Sequence, residues 1–155
     1  MNSSSQTAAA STTTMTSATD LRRRMAEREA AKAAEEMRHL EEQDAKRKAV
    51  IEEFQKPPAR TREQVMALVM QMVTRAAEQG QSEVQVYQFP SGLCTDRGRA
   101  INNFEADWPK TLTGRPQLAF EFWQEDLKPQ GFGLKAQVLD YPGGFPGDVG
   151  LFLTW

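Results

Sequence analysis

From Asp20 to Lys56 the chain contains neither Gly nor Pro and is built largely from Ala, Glu, Arg and Lys, all strong helix formers. That stretch constrains the chain to one long helix. Asp20 is its expected N-cap, and Pro57 with Pro58 supplies the stop, because proline has no amide to donate and clashes with the preceding turn. Its best seven-residue seam runs Ala30, Ala33, Met37, Leu40, Asp44, Arg47, Ile51, Phe54. Charged residues at Asp44 and Arg47 and the small Ala30 and Ala33 weaken that seam, so it does not encode a strong zipper. Residues 20–56 therefore read as a solvated, charge-laced helix. The alternatives are a weak coiled coil, giving a homodimer, or a helix that binds a partner. His39, the one histidine, has no second ligand or base beside it in this helix and reads as a surface residue.

Residues 1–19 contain only small and polar residues besides two methionines, too little apolar surface to offset the entropy of ordering, so a disordered tail is expected. Lys and Arg balance Asp and Glu at 10 against 10 before Pro57 and stand at 9 against 11 from it onward. Neither half attracts nucleic acid or anionic lipid by charge alone. No apolar run is long enough to span a membrane, and the first twenty residues lack the basic start and apolar stretch of a secretory signal. A cytoplasmic location is the default expectation. A lone cysteine, Cys94, rules out an internal disulfide and a Cys-rich zinc site.

After a proline linker at residues 57–60, residues 61–155 carry the pattern of a folded domain. Thr61 and Gln64 have the spacing of a capping box, Val65, Leu68, Val69, Met72, Val73 and Ala76 form one apolar stripe, and Gly80 closes the helix. "SEVQVYQF" reads as a strand with Val84 and Val86 on one face and Tyr87 and Phe89 on the other. A second helix is expected within "LCTDRGRAINNF", where Leu93, Ala100, Ile101 and Phe104 share a face. A third, "RPQLAFEFWQEDL", starts at Thr113 or Arg115 and stops at Pro129. It buries Leu118, Ala119, Phe122, Trp123 and Leu127 and turns Glu121, Gln124, Glu125 and Lys128 outward.

The chain ends in two alternating segments. Phe132, Leu134, Ala136 and Val138 mark one strand, and Val149, Leu151, Leu153 and Trp155 mark another that should seal the core. The intervening "DYPGGFPGD" is a turn. A phosphate-cradling loop would lead into a helix and carry a lysine, whereas this one leads into a strand and has no cation.

The order helix, strand, helix, helix, strand, strand is that of an α+β, winged-helix-like domain. Winged helices commonly read DNA, yet the third helix here presents Glu121 and Glu125, and acids repel a polyanion. The expected role is that of a non-enzymatic regulatory or scaffolding protein, binding a protein partner through Phe145, Glu121, Gln124 and Glu125. The alternative is a nucleic-acid-binding regulator using Arg97, Arg99 and Arg115.

Chemistry has little to stand on. Cys94 lies near a helix start, but a phosphatase-type loop requires Arg six positions on, and Ala100 is there. No catalytic set, metal site or cofactor is expected. Arg97 falls on the apolar side of a helix begun at Leu93, so either the helix starts later, capped by Thr95, or a guanidinium is buried against a carboxylate. Arg99, Asn102 and Asn103 point elsewhere and form either a polar contact surface or a solvated face. Phe145, between Gly144 and Pro146, either folds back over the hairpin or projects as an anchor.

Overall fold

The computed structural model of the protein describes residues 16–155. Most of the expected tail, residues 1–15, lies outside them. Helix α1 spans Ala18–Gln55, and none of its side chains is fully buried. Its cap comes earlier than expected: the Ser17 hydroxyl accepts from the Asp20 amide at 3.1 Å, and Asp20 sits in the first turn, where its carboxylate meets Arg23 at 3.3 Å. By compactness the chain divides between Asp44 and Ala45, not at the proline pair. The first unit is, in its described part, solvated helix with Leu21, Met25, Met37 and Leu40 exposed. The second contains the last turns of α1 and everything after them.

In the second unit, α2 (Arg62–Glu78) opens with the expected capping box. The Thr61 hydroxyl accepts from the Gln64 amide, and the Gln64 side chain accepts from the Thr61 amide. Val69, Val73 and Ala76 are its buried side. Three antiparallel strands follow, β1 (Glu83–Pro90), β2 (Gly133–Val138) and β3 (Asp148–Thr154), in the spatial order β1-β3-β2. The last strand in the chain is therefore the middle one. Val149, Leu151 and Leu153 are 0%, 2% and 0% exposed, as their alternation leads one to expect.

The face assignment of β1 differs from expectation. A bulge between Gln85 and Tyr87 resets the register, so that Val84, Tyr87 and Phe89 pair with Leu153, Leu151 and Val149 on one face. One inserted residue changes the parity of everything beyond it. On the opposite face Lys135 reaches across the middle strand to Glu83 at 2.7 Å, passing over the Phe152 ring at 5.1 Å.

Two buried clusters fill the interior. One is centred on Phe89, Leu93, Ile101, Leu112, Val149 and Leu151, and the other on Val69, Val73, Leu127 and Leu153. Ile51 and Phe54, the last seam residues of α1, pack against the first. Gly114 makes that approach feasible: a Cβ there would lie 2.8 Å from the Phe54 carbonyl oxygen, and its φ is +60°. Arg115 fastens the junction, its Nε donating to the Lys56 carbonyl at 2.9 Å and its guanidinium lying 5.9 Å from the Phe54 ring centre.

Three further expectations need correction. The second helix shrinks to α3 (Arg99–Asn102), and Phe104 leaves the apolar face altogether, at 86% exposed. In the third, α4 (Gly114–Phe122) passes into a π-helical turn over Trp123–Leu127, and the buried stripe rotates. Phe120 turns inward between Trp108 and Trp123, at 5.8 and 5.6 Å between ring centres, while Leu118 is left exposed. Contacts with residues far along the chain, invisible to a 3.6-residue period, select that face. Finally, Trp155 lies beyond β3, 41% exposed, against Phe132, so Leu153 and not Trp155 seals the core.

Candidate contact surface

The segment between β1 and α3 is shaped by one carboxylate. Asp96 accepts from the Gly98 amide through Oδ1 at 3.0 Å and from the Ala100 amide through Oδ2 at 2.8 Å. Asp96, not Thr95, thus satisfies the orphan amides at the start of α3. The cap forces the chain through a left-handed corner at Arg97, with φ 57°, and Gly98, with φ 85°. The guanidinium of Arg97 points into solvent, which answers the burial question raised by the helical wheel. At the other end of α3 the chain turns left-handed again at Phe104, with φ 56°, and this lifts its ring out of the core.

The turn after β2 is braced against this segment. Asp140 accepts from the Asp148 amide through its side chain at 2.6 Å and from the Gly147 amide through its backbone carbonyl at 2.9 Å. Gly147 cannot be anything larger, because a Cβ would overlap the Asp140 carboxylate and the Pro142 ring. Ser91, one of the few buried polar residues, donates its hydroxyl to the Pro146 carbonyl at 2.7 Å, and its amide to the Gly147 carbonyl at 2.9 Å. The Tyr141 hydroxyl donates to Asn102 Oδ1 at 2.6 Å. Two loops distant in sequence become one rigid surface.

That surface carries three exposed aromatic rings: Phe104 at 86%, Phe145 at 76% and Tyr141 at 52%. Phe145 does not fold back over the hairpin. It adjoins Pro146, which touches the Gly98 position between Arg97 and Arg99. Among the described residues, neither arginine side chain makes an ion pair or hydrogen bond. The carboxylates of the same loops, Asp96 and Asp140, are instead bonded to backbone amides. The backbone next to Phe145 thus abuts the corner between Arg97 and Arg99, residues expected in two separate roles.

The other expected residues lie elsewhere. Arg115 is engaged with the carbonyls of Lys56 and Pro57 and with Glu53. Glu125 and Asp126 both bind Arg62 of α2, whose guanidinium also covers the Phe122 ring at 5.8 Å. Glu121 and Gln124 are exposed, and no contact among the described residues links them to Phe145. Tyr141 was not singled out from the sequence, Phe104 was expected on the apolar face of its helix, and Asn102 was expected in either a polar contact surface or a solvated face. The usable signal was the Asn102–Asn103 pair, poor helix formers that favour a helix end and so release the following Phe from the helical face.

Cys94 is buried, and burial pushes its thiol up to about 11, so it is a poor nucleophile at neutral pH. His39 is exposed and hydrogen-bonds to Gln43 at 3.1 Å, in keeping with a surface residue. Among the described residues there is no cluster of three His, Cys, Asp or Glu side chains arranged to hold a metal, and no helix long and apolar enough to cross a membrane. Shallow depressions run along α2, lined by Ala67, Met70 and Thr74, and along α1, lined by Lys32, Glu36 and His39. In comparisons with protein-family models, curated proteins and solved structures, nothing matches this chain.

Proposed function

We propose that the protein is a non-enzymatic regulator or scaffold that works through protein–protein contact, and that its domain is a winged-helix variant. The β1-β3-β2 order, with a β2–β3 hairpin after the helices, supports the second part. The helix in the recognition position, α4 with its π turn, offers Glu121 and an Arg62-bound Glu125, a poor match for phosphates. The turn that would serve as a wing is held down by Ser91.

One observation carries the contact reading. Phe104, Tyr141 and Phe145 are displayed beside two unpaired arginines on a backbone braced by Ser91, Asp96 and Asp140. Aromatic and Arg side chains dominate binding hot spots, and rings held rigidly in solvent lose little entropy on contact. The test is a photo-crosslinking residue placed at position 145, with position 74 on α2 as control. A discrete protein adduct is expected at 145 alone, lost when Phe104→Ala is added. Adducts of equal yield at both positions would end this reading. A gel shift with single-stranded and duplex DNA, weakening steeply with salt and abolished by Arg97→Ala with Arg99→Ala, would replace it with the nucleic-acid alternative.

A further inference from the structure

We propose that the aromatic surface binds the acidic middle of α1 from a second copy of this chain. The inference rests on the contact reading above and names its occupant. Along α1, Met37 and Leu40 are 58% and 55% exposed. They share a face, since three residues make most of a turn. Glu36 lies one turn before Leu40, and Glu41 lies one turn after Met37, so the two apolar side chains are flanked by acids. Helical geometry turns Arg38 and His39 away from that face. Among the described residues, neither Glu36 nor Glu41 is held in an ion pair.

The two surfaces match in kind. One has apolar side chains flanked by unpaired carboxylates, and the other has exposed rings beside unpaired guanidiniums. Methionine sulfur packs favourably on aromatic edges, and Arg forms bidentate bonds with carboxylates. Of the acids near the aromatic surface, Asp96 and the exposed Asp140 are bonded to backbone amides, and Glu105 and Asp107 follow Phe104 in the chain. Because each copy carries both halves, the helix of one copy can meet the aromatic surface of another. A zipper between two α1 helices fits less well. Its seam has Ala at two positions and charge at two more, and its apolar end, Ile51 and Phe54, is already packed within the domain.

Sedimentation velocity of the full chain over a range of concentrations tests this. Wild type should show a concentration-dependent dimer that weakens with salt. Phe104→Ala with Phe145→Ala, and separately Met37→Ala with Leu40→Ala, should each weaken it by about tenfold or more. Arg97→Glu with Arg99→Glu should abolish it, and adding Glu36→Arg with Glu41→Arg should restore it, with circular dichroism showing all variants equally helical. Either of two results overturns the proposal: a wild type monomeric throughout, or a dimer sensitive to Met37 and Leu40 yet indifferent to Phe104, Phe145 and the charge exchange. Neither result touches the crosslink at position 145, which reads partner contact independently.

Discussion

Ser91 joins the two loops of the aromatic surface through both its hydroxyl and its amide. Ser91→Ala removes a buried donor and strands the Pro146 carbonyl, so it should cost about 1–3 kcal/mol in a urea titration. The same variant should loosen Phe145 without touching the core. Cys94 and Tyr87 give the domain an alkaline limit. Burial raises the thiol from 9.0 to about 11 and the phenol from 10.0 to about 12, so the unfolded chain loses each proton first. Their contribution is complete below the lower value of each pair and is lost as pH climbs through the upper one. Stability should therefore decline between pH 9 and 12, and Cys94→Ala should flatten the first part of the decline in denaturation curves taken across that range. Residue-scale features were unevenly legible. The Thr61 and Gln64 capping box was readable because both partners lie within one turn. The exposure of Phe104 was not, because it depends on a left-handed φ that no side-chain pattern announces.

Among the elements, the end of α1 is the clearest case of a segment whose character changes along its length. None of its described residues up to Asp44 is buried, yet its last turns pack against the larger cluster through Ile51 and Phe54. Gly114→Ala tests that junction. A left-handed φ alone costs about 1–2 kcal/mol for a residue with a Cβ, and displacement of the Phe54 carbonyl adds to it. The loss should appear as a lower urea midpoint with unchanged slope. In the middle strand, Leu153→Ala should cost about 2–5 kcal/mol, since the side chain is fully enclosed. The alternation of Val149, Leu151 and Leu153 made this strand readable from the chain alone. The bulge at β1 and the π turn after α4 were hidden because each inserts a residue into a period, and only the partner strand or the facing rings decide where.

At the scale of the whole molecule, the division between Asp44 and Ala45 makes a direct prediction. Removing residues 1–44 should leave the thermal midpoint of the remainder unchanged. Removing eleven more, to Gln55, should lower it by several degrees, since Ile51 and Phe54 go with them. At the proline pair, the expected linker, Arg115 bonds the Lys56 and Pro57 carbonyls and so ties the start of that segment to the domain. The position of β3 has a consequence for how the protein is made. Because β1 and β2 flank it and do not pair with each other, a nascent chain that has not yet extruded residues 148–154 holds two strands with no neighbour. The three-stranded sheet cannot assemble before residues 148–154 are free to pair, so both flanking strands wait on that one segment.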